Sequence, residues 1–167
     1  MRRLWISLIA GTALSAGGTA FAGGLPGSNA ASTATGGSTA QATAAIAAGV
    51  PITGDIDIFS KTVKAPIVAV TGSNGKSTVV EILAAILDRA EKNYGLGGNL
   101  DSQNAKPALD LLLDSPRELY VLEISSFQLE TTASLGAEVA ALLNLSADHM
   151  DRYATMDEYL KAKQRVF

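Results

Sequence analysis

The sequence predicts an α/β fold: a mostly parallel sheet with flanking helices and a phosphate-loop connection, preceded by a leading segment of different character. Three observations predict it. Short apolar runs alternate with helical patterns, which is the signature of a parallel sheet. A glycine-rich loop joins the first of those runs to an amphipathic helix. The composition also changes abruptly near residue 50, so the two parts are read separately.

The leading part, residues 1–44, is almost entirely Ala, Gly, Ser and Thr after its first few residues, and no charge occurs between Gly23 and Val50. Arg2 and Arg3, the apolar run Leu4 to Ala16, and Ala20-Phe21-Ala22 follow the order of a secretory signal, charge then apolar core then small-x-small site. The run is too short and too broken by Gly and Ser for a membrane span. The competing reading is sequence that imitates a signal by composition alone. Gly23 to Thr43 is low in complexity, with few side chains able to offset the entropy of ordering, and is expected to be disordered.

Residues 45–167 have an ordinary globular composition. Pro66 to Val70 is a short apolar run of the kind found in buried parallel strands. It leads into Thr71-Gly72-Ser73-Asn74-Gly75-Lys76-Ser77-Thr78. Val79, Ile82, Leu83, Ile86 and Leu87 then recur at helical spacing, with Glu81, Asp88 and Arg89 off that stripe. Gly72 and Gly75 permit a tight turn and close backbone approach. Free N–H groups and the positive helix end would then face a polyphosphate. Lys76 supplies a point charge for the outer phosphates and Ser77 a hydroxyl for Mg²⁺.

Two more strands are expected, Leu119 to Leu122 ending at Glu123, and Val139 to Leu145 leading to Asp148 and His149. Helical pattern lies between strands, for example from Ala108 to Leu113. Ligands of parallel sheets sit at the carboxyl edge of the strands. Lys76, Glu123 and His149 all follow a strand end, which points to a metal–nucleotide site. Each has a plainer alternative, Glu123 as a helix-capping carboxylate and His149 as a surface or core side chain. Thr155 and Glu158 read as a capping box before a last stripe of Met156, Tyr159, Leu160, Lys163 and Phe167. Lys163 therefore falls on the buried side, where an ammonium is costly unless paired, modified or snorkelling to solvent. The net charge of -3 leaves no basic footprint for nucleic acid. The chain has no cysteine, which excludes disulfides and thiolate metal sites.

Taken together these motifs resemble the Mur ligase superfamily. Gly72-Ser73-Asn74-Gly75-Lys76-Ser77-Thr78 is similar to its ATP loop, whose G-x-x-G-K-[ST] spacing is shorter than the common one. Glu123-Ile124-Ser125-Ser126-Phe127-Gln128-Leu129-Glu130, Asn144 to Tyr153, Ala162-Lys163-Gln164-Arg165 and Gly97-Gly98-Asn99 resemble the D-glutamate-adding branch. The resemblance runs from about residue 45 to 167. It implies an ATP-dependent ligase that phosphorylates the carboxylate of UDP-MurNAc-L-alanine and joins D-glutamate to it. By position it implies that Gly72 to Thr78 bind ATP, with Lys76 on the β- and γ-phosphates. Ser77 and Glu123 would bind one Mg²⁺, and His149 and a carbamylated Lys163 a second. Lys76, His149 and Lys163 would be catalytic, and Asn99 would contact substrate. It further implies a cytoplasmic monomer without nucleic-acid or membrane partners.

Two departures stand out. Asp101 to Lys106 intervene where the family passes directly to Pro107, and Asp101 replaces a glycine, which affects the surroundings of Asn99. The family's uridine-nucleotide domain has no counterpart in residues 1–44, and its closing C-terminal domain would lie beyond Phe167. The chain alone is therefore expected to hold the ATP and Mg²⁺ residues without completing the ligation. The alternatives are another ligase of the superfamily, such as a folylpolyglutamate synthase, or an exported, inactive, nucleotide-free homologue.

Overall fold

The computed structural model describes residues 20–21, 47–49 and 52–167. The expected signal and low-complexity segment lie outside the described residues, apart from Ala20 and Phe21. By its contacts the chain divides after Asp55. In the first unit, β1 (Ala20–Phe21) pairs in parallel with β2 (Ile52–Thr53). The helix α1 (Asp55–Thr62) begins at that boundary and belongs to the second unit from Ile56 onward.

The second unit continues with β3 (Ile67–Thr71), α2 (Lys76–Arg89), β4 (Tyr94–Gly98), a 3-10 turn at Asp110–Leu113, β5 (Leu119–Glu123), α3 (Ser126–Glu130), β6 (Val139–Leu142) and α4 (Met156–Gln164). The four strands form one parallel sheet in the order β4-β5-β3-β6. Their parallel register brings every carboxyl end to one edge: Val70 lies opposite both Glu123 and Ala141, and Gly98 lies opposite Glu123.

Side chains alternate across the pleat, so the sheet has two apolar faces. Val70 and Val121 turn toward Val80 and Ala84 of α2, and Leu96 and Leu100 close that layer. Ile67, Ala69, Tyr120 and Leu122 turn the other way, onto Ile56 and Phe59 of α1, Leu129 of α3 and Val166 after α4. Phe59 meets Tyr120 edge to face, with ring centroids 5.0 Å apart.

The structure adjusts several sequence expectations. The strand expected over Pro66 to Val70 is Ile67–Thr71, and the strand expected to run to Leu145 ends at Leu142, beyond which the pairing with β3 is carried on by the phosphate loop and the Asn144 side chain. The helical pattern over Ala108 to Leu113 forms only one 3-10 turn. The buried stripe of α2 is Val80 and Ala84, flanked by Val79, Leu83 and Leu87, while Ile82 and Ile86 are each 55% exposed. Phe167 is exposed, and Val166 takes the place expected for it in the core.

The strand β4 has no counterpart in the sequence reading. Its Tyr-Gly-Leu-Gly-Gly composition has low strand propensity. It pairs because it must approach its neighbours closely. A Cβ on Gly98, which has φ 94°, would collide with the Glu123 carbonyl. Residues 101–106 return to this strand's outer edge. Lys106 N–H donates to the Leu96 carbonyl at 3.0 Å, and Gly98 N–H donates to the Lys106 carbonyl at 3.1 Å. The extra residues thus cover a sheet edge that would otherwise stand open.

Candidate functional site

The phosphate loop leaves β3 and enters α2 through Gly75, whose φ of 78° is a left-handed position suited to glycine. The first backbone bond of α2 runs from Val79 N–H to the Gly75 carbonyl at 3.1 Å. The N–H groups of Lys76, Ser77 and Thr78 precede it and have no partner within the helix. They make the positive, donor-rich end that the sequence predicts. Asn74, Gly75, Ser77 and Thr78 are exposed, while Ser73 is buried.

Glu123 ends β5 beside this helix start. It is 2% exposed and its oxygens have separate donors. Ser77 Oγ donates to Oε2 at 2.7 Å, and Asn99 Nδ2 donates to Oε1 at 3.4 Å. Asn99 N–H also donates to the Glu123 carbonyl at 2.8 Å, which fixes the loop after β4 against β5. The reading of Glu123 as a helix cap is thereby excluded. The cap of α3 is Ser125, which accepts from Gln128 N–H while Gln128 Oε1 accepts from Ser125 N–H.

Lys163 is 2% exposed and does not snorkel. Its Nζ donates to the Gly72 carbonyl at 2.9 Å and lies 4.7 Å over the Tyr159 ring. Lys76 Nζ donates to the next carbonyl, that of Ser73, at 3.2 Å. Burial, and then the nearby Lys76 ammonium, push the Lys163 pKa down to about 8, against the opposing pull of Asp148 and Glu123. Burial also raises the Tyr159 phenol, whose oxygen lies 3.3 Å from Ser73 Oγ.

His149 stands at the rim. Its φ is 56°, and its N–H donates to Asp148 Oδ1 at 2.9 Å. The imidazole Nε2 lies 3.4 Å from Asp148 Oδ2, and the ring packs 4.7 Å from Phe127 and 6.2 Å from Tyr159. His149 and Lys163 thus both pack against the Tyr159 ring. The turn behind it is anchored to α3. Arg152 donates to both Glu130 oxygens, and Tyr153 OH donates to Glu130 Oε1. Burial, then the Glu130 bond, push the Tyr153 phenol up to about 12.

Of the expected site residues, Lys76, Ser77, Asn99, Glu123 and Lys163 converge on one patch at the carboxyl edge, with His149 beside it. Among the described residues, no three or more His, Asp or Glu side chains gather as a metal cluster. The donor chemistry nevertheless suits a hard cation at one position. Ser77 Oγ and Glu123 Oε2 are 2.7 Å apart, close to the about 2.9 Å between adjacent octahedral oxygens at Mg²⁺ distances. Lys163 as an ammonium is no ligand, and it gains ligand oxygens only as a carbamate.

The sequence reading assigned no role to Asn144, Asp148, Tyr159 or the Glu130–Arg152–Tyr153 group. Asn144 lies two residues and Asp148 six residues beyond the end of β6; the expected strand ran through Asn144, so strand-end position was an available signal for Asp148 only. The others depend on contacts between α3, α4 and the His149 turn, which no local pattern encodes.

Residues 70–167 match the Mur ligase middle domain. A UDP-N-acetylmuramoylalanine–D-glutamate ligase of Pseudomonas fluorescens is 55% identical over 124 residues, covering 74% of this chain and 27% of that protein. The enzyme of that name from Pseudomonas aeruginosa is 57% identical over 123 residues, covering 74% and 26%. The chain thus spans about a quarter of the length of these relatives. The UDP-N-acetylmuramate:L-alanyl-gamma-D-glutamyl-meso-diaminopimelate ligase from Neisseria meningitides shares the fold, with a TM-score of 0.53 and 19% identity over 89% of this chain and 47% of that one.

Proposed function

The chain belongs to the Mur ligase family through its middle domain, and from that premise we propose that it supplies the ATP and Mg²⁺ site of a cytoplasmic ligase adding D-glutamate to UDP-MurNAc-L-alanine. The observation that carries this reading is the meeting of the phosphate loop, Glu123 and Lys163 at one sheet edge. The names of the relatives favour D-glutamate over the folate acceptor of a folylpolyglutamate synthase.

In this reading the exposed N–H groups of Lys76, Ser77 and Thr78 hold the phosphates of ATP, with Gly72 to Thr78 as their frame. Lys76 neutralises the β- and γ-phosphates, and it must leave the Ser73 carbonyl to do so. Ser77 and Glu123 would hold one Mg²⁺, and His149 with a carbamylated Lys163 would support a second. When bound, such ions would supply charge neutralisation for the transferring phosphoryl group. The substrate carboxylate takes the γ-phosphoryl group and ADP leaves. The amine of D-glutamate then attacks the acyl carbon, losing a proton as phosphate departs. Asn99, tied to Glu123 on both its N–H and its side chain, would contact the substrate.

Lys163 is suited to carbamylation for a physical reason. Only the free amine adds CO₂. At a pKa of about 8, roughly one amine in ten is free at pH 7, against about one in three thousand for an ordinary lysine. Burial also shields the product from solvent.

Calorimetric titration with Mg·ATP tests the core of the proposal. Wild type should bind and Lys76→Ala should lose all measurable affinity. Equal affinity in the two would remove the phosphate-loop assignment. The complete ligation is tested in a chain joined to the flanking domains of its relatives, where phosphate release should depend on D-glutamate.

A further inference from the structure

The ladder between β3 and β6 continues past the ends of the strands. Thr71 lies opposite Leu142. Beyond them, Leu143 N–H donates to the Thr71 carbonyl at 3.0 Å, and Ser73 N–H donates to the Asn144 carbonyl at 3.2 Å. The next rung is made by a side chain. Asn74 N–H donates to Asn144 Oδ1 at 2.9 Å, and Asn144 Nδ2 donates to the Asn74 carbonyl at 2.9 Å. One carboxamide thus treats Asn74 as a peptide unit of a neighbouring strand would.

The same two segments are joined further. Asn74 Nδ2 donates to Ser146 Oγ at 3.1 Å. Ser146 N–H donates to Ser73 Oγ at 3.0 Å, and Ser73 Oγ donates to the Ser146 carbonyl at 3.1 Å. Ser73 and Asn74 are therefore held on both backbone and side chain, immediately before the left-handed Gly75 and the free N–H groups of the helix start.

A loop of Gly, Ser and Asn would otherwise sample many backbone conformations, and ordering it on binding would reduce affinity. Resting on the phosphate-loop reading above, we propose that Asn144 is a positioning residue that holds this loop in its nucleotide-ready shape before the ligand arrives. The residue type follows from the geometry. A carboxamide carries a donor and an acceptor on one short planar group, an ionised Asp only accepts, and a Gln is one carbon longer. Asn144 also occupies the N–H of Asn74, which leaves the donors of the helix start for an anion.

The test uses the full 167-residue chain with Asn144→Ala and Asn144→Asp. Thermal melting, amide hydrogen exchange and titration with a fluorescent Mg·ATP analogue are measured for each. Asn144→Ala should melt close to wild type, exchange its Asn74 amide about tenfold faster, and bind nucleotide about tenfold more weakly, as expected for losing two exposed hydrogen bonds. Asn144→Asp at pH 8 should keep the Asn74 amide protected but still bind nucleotide weakly, since it loses the donor and adds a negative charge near the phosphates. That separation of protection from affinity would not arise from a merely structural role. Unchanged loop exchange in a folded Asn144→Ala would overturn the proposal, and so would faster exchange with unchanged affinity. Were Asn144→Ala unfolded, Asn144→Asp would decide, with wild-type affinity counting against the proposal. Were wild type itself unable to bind nucleotide, the functional reading would fall, and the exchange comparison would still decide whether Asn144 sets the loop.

Discussion

Lys163 shows how one buried charge links stability to chemistry. An ammonium that is 2% exposed, with another ammonium nearby, favours its neutral form. Its pKa falls from 10.5 to about 8, so between those values the folded chain binds fewer protons at this site than the unfolded chain. Stability contributed by this group therefore rises with pH across that window. In CO₂-free buffer, denaturant melts of wild type and Lys163→Met should diverge in this sense. Wild type should gain roughly 1–2 kcal/mol relative to the variant between pH 7 and 9.5. A constant difference would mean that Lys163 titrates like a surface lysine. In an active, complete enzyme, Lys163→Ala should lose activity that short carboxylic acids partly restore, and no restoration would count against the carbamate. Spacing placed this residue on the buried stripe, one helical turn from Tyr159, but left snorkelling open; only the family resemblance gave it a role. The partner carbonyl of Gly72 was not legible, because it lies ninety-one residues away and is brought in by the sheet.

At the scale of elements, the strand–loop–helix order of β3 and α2 was legible because its punctuation is local: apolar run, two glycines, then helical spacing. The face of α2 was only half legible. Ile82 and Ile86 satisfy the spacing, but the sheet selects Val80 and Ala84, whose small side chains let the helix sit close to β3 and β5. The strand β4 was illegible, since its glycines signal a loop until the close approach to Glu123 is known. The capping box at Thr155 was legible in part. Thr155 Oγ1 accepts from Glu158 N–H at 3.2 Å, but Glu158 reaches back one residue further than expected, to Ala154 N–H at 2.9 Å. The short helix α3 carries a contact with functional consequences. Its terminal Glu130 holds Arg152 and Tyr153, and Phe127 lies between His149 and the Arg152 guanidinium, 4.8 Å from the latter. Replacing Glu130 by Gln should free the Tyr153 phenol, so that absorbance titration finds its pKa lower than in wild type. Melting should fall by a few degrees at most, since only one charged bond partner is lost. An unmoved phenol titration would show that Glu130 does not hold the His149 turn.

For the whole molecule, the site depends on packing that lies away from it. Lys76, Glu123 and Lys163 belong to α2, β5 and α4, and only the common sheet register brings them to one edge. The face opposite α2 carries the larger side chains: Phe59, Ile56, Ile124 and Leu129 are fully buried there around Tyr120 and Leu122. Phe59→Ala should therefore cost about 3–5 kcal/mol, the usual loss for a fully buried aromatic ring. A domain of this size has about 5–15 kcal/mol in total, so the variant should unfold at much lower denaturant, and Mg·ATP should partly rescue it by binding only the folded state. Ile82→Lys on the outer face of α2 should change stability by less than about 0.5 kcal/mol, although the sequence stripe makes Ile82 look like core. Denaturant unfolding with and without nucleotide measures the pair. A large loss at Ile82 with little loss at Phe59 would mean that the helices pack on the sheet by other faces, and the convergence of Lys76, Glu123 and Lys163 would then have no structural basis.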